Sequence, residues 1–338
     1  MNTTHLQQNS RKYYLDFLKV IGLIGIIFAH VEPPGIIMMA RSFDVPLMVL
    51  ISAILAKHSL EKSNFNTLTY FKSRIQRLVF PTWIFLVFYF ITQLLFGNIY
   101  SVKHYINSFL LTRYGIGYVW IVLIYLYCAL LTPFFNKVIN KKWLFPLLAI
   151  IYIAYEVLFY YQVGTNNKII LSTFYYIIPY GILTVIGLNY ESFKKSHKIV
   201  ICSLSFIGFI LIAIYFFVKT GELISVSHFK YPPTFYYLAY ALFCSFFLLL
   251  ICEEKVNILF KNKFIIFISS HSFWIYLWHI FYLTLYKYFC ENVYNPNSWI
   301  IKFIVIFSIS TLTVLLQNKI IDMCESKEKK PLLKVFRG

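Results

Sequence analysis

Residues 11–30 of the 338-residue chain read RKYYLDFLKVIGLIGIIFAH. Two basic residues are followed by a run that is mostly apolar and that ends in a histidine. At 1.5 Å per residue, the run from 13 to 30 approaches the length with which an α-helix crosses about 30 Å of hydrocarbon. Residues 1–10 are polar and lack the basic start and the small-residue cleavage site of a secretory signal peptide. We therefore interpret the run as a retained membrane helix.

Similar apolar runs recur along the whole chain. Hydrophobic residues make up 59% of the sequence and charged residues only 13%, whereas soluble proteins average about 25% charged residues. One soluble core cannot bury this much apolar surface, so the excess must face lipid. The sequence predicts an all-α, polytopic membrane protein with about ten transmembrane helices. The predicted segments are 13–30, 43–56, 79–97, 118–135, 143–161, 169–188, 199–218, 233–252, 264–286 and 299–318.

The basic residues predict how the chain is oriented. Lys and Arg accumulate in cytoplasmic loops, and most of the 31 Lys and Arg residues fall in inward loops when the N-terminus is placed inside. Both termini are then cytoplasmic. The chain divides into a short polar N-terminus (1–10), a transmembrane domain (11–320) and a basic tail (321–338). Because this topology accounts for the net charge of +18, we expect no nucleic-acid partner.

Two polar residues of the first helix share one face. Lys19 and His30 are eleven positions apart, which at 100° per residue returns to within about 20° of the same direction and separates them by about 16 Å along the axis. Ionisable residues inside a bilayer are costly unless they pair, line a cavity or take part in chemistry. Lys19 is also suited to anchor the helix at the cytoplasmic interface, and His30 to reach the outer interface.

The ninth segment contains HSFWIYLWHIFY, in which Ser272, Tyr276 and His279 follow at spacings of four and three. These spacings place the three polar side chains on one stripe of a helix. They could form part of a functional site. Hydrogen bonding to a neighbouring helix is the structural alternative.

The stretch YFKSRIQRLVFP, in the inward loop before the third segment, places Arg74 and Arg77 three residues apart. Guanidinium groups bind phosphate through paired hydrogen bonds. A basic pair at this position is also typical of membrane topology and of anionic lipid head groups. In the fifth segment, Glu156 is expected to face protein or water, because lipid would not stabilise its charge.

The order of these motifs resembles that of a family of integral membrane acyltransferases called acyltransferase 3. The similarity covers about residues 11–320, and each motif is weak alone. The motifs are Tyr14–Lys19 followed by His30, Phe43–Met48 leading to Ser52-Ala53, Arg74-Ile75-Gln76-Arg77 before Pro81, Trp120, Tyr231-Pro232-Pro233-Thr234, and Ser272–His279.

The resemblance implies transfer of an acyl group, most often acetyl from cytoplasmic acetyl-CoA, to a hydroxyl of a cell-envelope or capsular glycan or of its lipid-linked precursor. It implies a bacterial cell membrane as the location, with membrane lipid and the glycan acceptor as partners. We expect no metal, since the mechanism needs none and the six cysteines are scattered singly. The catalytic candidates are His30, His279, Tyr276 and Ser272, and the donor-binding candidates are Lys19, Arg74, Arg77 and Trp120. The favoured role of His30 is that of a general base toward the acceptor hydroxyl, and transient attachment of the acyl group to its imidazole is the alternative.

Two positions differ from the pattern common in the family. Lys19 stands where Arg is more usual, so a point charge replaces a fork of paired donors. Ser52-Ala53 stands where Ser-Gly is common, and Ala is still small enough for close helix packing.

A transporter or exporter of lipid-linked sugars or small molecules is the main alternative function. It would share the many helices and the basic inward loops. Many transporters have helices broken by Gly or Pro in matching halves, a feature that this sequence does not show. A third class, an envelope scaffold or a sugar polymerase, is disfavoured because a polymerase would be expected to carry a large outer loop, and the outer segments near 98–117 and 219–232 are modest.

Overall fold

The computed structural model of the protein describes residues 11–254, 260–290, 298–325 and 334–337. Within these ranges the chain is helical, and its β-structure is confined to one isolated bridge between Lys230 and Pro233. The predicted N-terminus, 1–10, and half of the predicted tail (326–333 and 338 of 321–338) lie outside the described residues.

Each predicted segment overlaps a helix of the structure. The ninth overlaps two helices, and the additional helices are short. The helices are α1 Tyr13–His30, α2 Gly35–Ala40, α3 Asp44–Lys62, α4 Thr67–Leu95, α5 Val102–Phe109, α6 Trp120–Val138, α7 Leu144–Tyr160, α8 Lys168–Asn189, α9 Lys195–Thr220, α10 Phe235–Glu254, α11 Lys263–Ser270, α12 Ser272–Cys290, α13 Trp299–Glu325 and α14 Lys334–Arg337.

The all-α, polytopic architecture is confirmed. Among the described residues, seven helical spans are long and apolar enough to cross a membrane, and an eighth is obtained when the bent pair α11 and α12 is taken as one span. Helix α7 is apolar but has only 17 residues. The count of ten spans remains a prediction.

Several helices are longer than their apolar runs predicted, among them α3 and α4. Helix α3 continues to Lys62, beyond the predicted end at 56. Helix α4 begins at Thr67 rather than near 79, because the Asn66 side chain caps it by accepting a hydrogen bond from the Thr69 N–H at 3.0 Å. The Arg74 and Arg77 side chains therefore project from α4. The sequence had placed them in the loop before the third segment.

The ninth segment is not one straight helix, and that part of the prediction was wrong. Helices α11 and α12 meet at His271 with a bend of 73°. The polar residues around the bend have partners on other helices. The Ser269 hydroxyl donates to Asp16 Oδ1 at 2.6 Å, and His271 Nε2 lies 2.9 Å from Asn318 Nδ2. These contacts with α1 and α13 stabilise a break that hydropathy does not reveal.

Helix α1 lies inside the bundle, against α3, α10, α11, α12 and α13. A Cβ atom added at Gly25 would lie 2.8 Å from the Asp44 Cβ, so this glycine permits the close approach of α1 to α3. Along α1, Lys19 lies toward one end of the bundle and His30 toward the other. We call the end that carries Lys19 and Arg74 the basic end, and the opposite one the far end.

Candidate functional site

Two histidines meet at the far end of α1. His30 Nδ1 lies 2.9 Å from His279 Nε2 of α12, and the two rings are nearly parallel, with centroids 5.1 Å apart. His279 is fully buried. Because α1 packs directly against α12, residues 249 positions apart in the chain form one imidazole pair.

The hydrogen bonds determine which nitrogen atoms carry protons in the neutral pair. His279 Nδ1 contacts the backbone carbonyl oxygen of Tyr276. A carbonyl can only accept, so His279 Nδ1 carries the hydrogen and its Nε2 is the acceptor. His30 Nδ1 must then donate to His279 Nε2, so the basic lone pair of the His30 ring is on its Nε2. This assignment gives His30 the arrangement of a general base that is oriented by His279.

A cavity of about 740 Å³ extends from the basic end toward this pair. Lys19, Leu23 and Ile26 line it along one stripe of α1, and His30 is the next residue of that stripe. The lining also includes residues of α3, α4, α6, α11 and α12. The predicted site residues that line it are Lys19, Arg74, Arg77, Ser272 and Tyr276.

The cavity is strongly cationic at the basic end. Among the described residues that line it, six are Lys or Arg and one is a carboxylate, Asp16. That carboxylate forms a salt bridge with Arg11 at 2.6 Å and accepts the hydrogen bond from Ser269. Lys19 Nζ donates to the Ser269 carbonyl oxygen at 2.8 Å. The remaining positive charge suits a ligand that carries several negative charges.

Arg74 is positioned by an aromatic ring. Its guanidinium carbon lies 5.0 Å from the centroid of the Tyr70 ring, a cation–π contact that holds the side chain against the cavity wall. Its Nε atom is buried and has no hydrogen-bond partner among the described residues. A buried donor of this kind is costly unless a ligand or water accepts its hydrogen bond.

Tyrosine side chains form the inner end of the cavity. The Tyr276 hydroxyl donates to the Tyr118 carbonyl oxygen, and its ring centroid lies 4.9 Å from that of His279. Tyr276 is therefore the part of the wall that contacts the imidazole pair. The Tyr125 hydroxyl is buried at the cavity without a hydrogen-bond partner in the described part of the chain. Nothing in the sequence distinguishes Tyr125, because tyrosines are frequent throughout this chain.

Trp120 lies apart from the other predicted donor-binding residues. Its ring contacts Tyr176 and Tyr231, with centroids 5.8 and 5.3 Å away, and it is not among the residues lining the cavity. The structure thus brings together Lys19, Arg74 and Arg77 but not Trp120.

A buried ion cluster that the sequence did not predict occupies the far end. Asp44 is 1% exposed and pairs with Arg41 at 2.5 Å and with Lys230 at 3.6 Å. Burial lowers the pKa of Lys230 from its usual value, although the Asp44 carboxylate opposes this shift. Arg41 and Lys230 lie near enough to His30 to interact with it electrostatically. The cluster therefore makes the region around the imidazole pair positive.

These features define a polytopic membrane protein with a cationic cavity that ends about one helical turn short of a candidate general base, since Ile26 lines it and His30 does not. A family model described as an acyltransferase domain matches residues 12–316, nearly the whole chain. The chain belongs to this family, acyltransferase 3, and is a membrane acyltransferase. No curated protein and no solved structure matches it.

Proposed function

We propose that the protein is an O-acyltransferase of a bacterial cell membrane, which moves acetyl from acetyl-CoA to a hydroxyl of an envelope glycan or of its lipid-linked precursor. The observation that carries the proposal is the cavity itself. It begins among six Lys and Arg side chains and ends at Tyr276, which contacts the His30–His279 pair. The donor would enter from the basic end, which the charge distribution predicts to be cytoplasmic.

The donor fits the charge and the size of the cavity. Coenzyme A carries phosphate groups at one end and the thioester at the other. Arg74, Arg77 and Lys19 would hold the phosphates, Arg74 and Arg77 through paired hydrogen bonds and Lys19 as a point charge. The volume of about 740 Å³ lies within the range of roughly 300–1,000 Å³ that is usual for small-molecule sites. The pantetheine arm would follow the α1 stripe toward His30, a path of about 16 Å.

The chemistry assigns one role to each group. His30 Nε2 takes the proton of the acceptor hydroxyl while the hydroxyl oxygen attacks the thioester carbonyl carbon. The negative charge on the carbonyl oxygen is stabilised by the unpartnered hydroxyl of Tyr125, with Ser272 as a further candidate. The Tyr276 hydroxyl already donates its hydrogen to the Tyr118 carbonyl oxygen, so Tyr276 serves as the wall beside the imidazole pair. The carbon–sulfur bond then breaks, and the coenzyme A thiolate receives the proton from His30. His279 orients His30 throughout.

A labelling experiment tests this proposal. Radiolabelled acetyl-CoA is supplied to inside-out membrane vesicles, and label in the glycan and lipid-linked fractions is counted for wild type, Arg74→Ala and Lys72→Ala. Lys72 is a matched control, because it is exposed on the same helix and does not line the cavity. We expect Arg74→Ala to raise the KM for acetyl-CoA at least tenfold, because it removes a charge-assisted hydrogen bond that contributes about 1.5–3 kcal/mol. The KM of Lys72→Ala should equal that of wild type.

High donor concentration should restore transfer by Arg74→Ala, because the lost interaction is one of binding. Wild-type vesicles that transfer no more label than vesicles without the protein would overturn the proposal. Equal KM values for Arg74→Ala and Lys72→Ala would remove the assigned role of the basic end.

A further inference from the structure

A second cavity, of about 490 Å³, lies at the far end between α7, α9 and the start of α10. It shares no lining residue with the cationic cavity. Among its described lining residues are six aromatic side chains and one carboxylate, Glu156, and none is Lys or Arg. The acyl transfer proposed above does not use it.

Glu156 has few hydrogen-bond partners for a carboxylate in an apolar helix. It lies beside the Tyr152 side chain and the backbone of Phe235, where one oxygen can cap the start of α10. Its Oε1 atom is buried and has no hydrogen-bond partner among the described residues. An ionised carboxylate in such a place is costly unless a positive group approaches it.

The aromatic side chains that line this cavity could also attract a cation. Phe216, Phe229 and Tyr236 contact one another, with ring centroids 5.1–5.4 Å apart. All three line the cavity. The negative faces of aromatic rings attract ammonium groups, and the attraction strengthens where water is excluded. Because the hydroxyl of Tyr236 is engaged by the Ile224 carbonyl oxygen at 3.0 Å, its ring is held in place.

The surroundings of this cavity suit a membrane lipid. Only 11% of the apolar window of α9 is buried, so this helix faces outward along most of its length. Tyr160 and Phe235, which line the cavity, are 80% and 45% exposed. We propose that this pocket binds the ammonium head group of a membrane lipid such as phosphatidylethanolamine, with Glu156 as the counter-charge and Phe216, Phe229 and Tyr236 as the aromatic wall.

Native mass spectrometry of the detergent-purified protein tests the proposal. The probes are phosphatidylethanolamine and phosphatidylglycerol with identical chains, and the proteins are wild type, Glu156→Gln and Glu222→Gln. Glu222 is exposed in the loop after α9 and does not line the pocket, so its variant removes the same charge elsewhere. We expect wild type to retain phosphatidylethanolamine roughly two- to thirtyfold better than phosphatidylglycerol, Glu156→Gln to lose this preference, and Glu222→Gln to keep it.

A displacement measurement on wild type avoids any effect of a substitution on folding. Decyltrimethylammonium should displace bound phosphatidylethanolamine, whereas decyl maltoside at the same concentration should not. Equal retention of the two lipids by wild type, an unchanged preference in Glu156→Gln, or equal displacement by the two amphiphiles would each overturn the proposal. A preference for phosphatidylglycerol would indicate an adventitious contact with surface cations instead.

Discussion

At the scale of single residues, the arrangement of His30 and His279 is the main feature that the sequence could not supply. Helical spacing predicted that Lys19 and His30 share a face, and that Ser272, Tyr276 and His279 share a stripe. In the structure, Lys19, Ser272 and Tyr276 line one cavity, whereas His30 and His279 contact each other and do not line it. The spacing of residues within one helix does not tell which other helix they face. The contact between His30 and His279 could therefore be found only from the three-dimensional structure.

Tyr125 carries a prediction at this scale. If its unpartnered hydroxyl stabilises the thioester oxyanion, Tyr125→Phe should lower kcat roughly 10²-fold and leave the KM for acetyl-CoA unchanged. Steady-state kinetics in vesicles would measure both constants, with Tyr127→Phe on the same helix as the control, because Tyr127 does not line the cavity. A kcat like that of wild type would exclude this role.

At the scale of helices, apolar runs predicted where the elements lie but not where they end. The run that begins near 79 marks the apolar part of α4, while a side-chain cap at Asn66 sets its true start. That extension matters because it fixes Arg74 and Arg77 on the cavity wall. The break at His271 was missed for a related reason: it depends on hydrogen bonds to α1 and α13, which a single segment does not contain.

The close packing of α3 against α8 leads to a prediction at the scale of helices. A Cβ atom at Gly187 would lie 2.7 Å from the Ala53 Cβ and 2.8 Å from the Leu50 carbonyl oxygen, so α8 and α3 would have to separate. We expect Gly187→Ala to destabilise the protein by about 1–3 kcal/mol, seen as a lower Tm in detergent. Gly117→Ala is the control, because nothing lies within 4 Å of its added Cβ, and equal Tm values for the two variants would contradict the packing argument.

At the scale of the whole molecule, ion pairs tie separate parts of the basic end together. Glu191, in the turn after α8, accepts hydrogen bonds from Lys12 at 2.6 Å and from His58 of α3 at 3.0 Å. Burial alone would raise the pKa of Glu191, but the hydrogen bonds from Lys12 and His58 outweigh it and hold this pKa below its usual value of 4.5. The distribution of Lys and Arg along the sequence predicted the basic character of this end but not the ion pairs within it.

The lowered pKa predicts how stability depends on pH. A carboxylate whose pKa is lower in the folded state contributes stability above its unfolded pKa and loses it as the pH falls through the folded value. The Tm of wild type should therefore fall more steeply than that of Glu191→Gln as the pH decreases below about 4.5. Thermal unfolding across this range, with exposed Glu222→Gln as the control, would measure the difference, and parallel curves for wild type and Glu191→Gln would argue against it.

The most direct test of the account is acetyl transfer by His30→Ala, measured with radiolabelled acetyl-CoA in inside-out vesicles at matched protein levels. His228→Ala is the control, since His228 is exposed in the loop before α10 and lines neither cavity. General-base catalysis contributes about 10²–10⁴-fold to rate, so we predict a loss of this size in His30→Ala and none in His228→Ala. Transfer by His30→Ala at the wild-type rate would contradict the central claim that His30, oriented by His279 next to the inner end of the cationic cavity, acts as the general base.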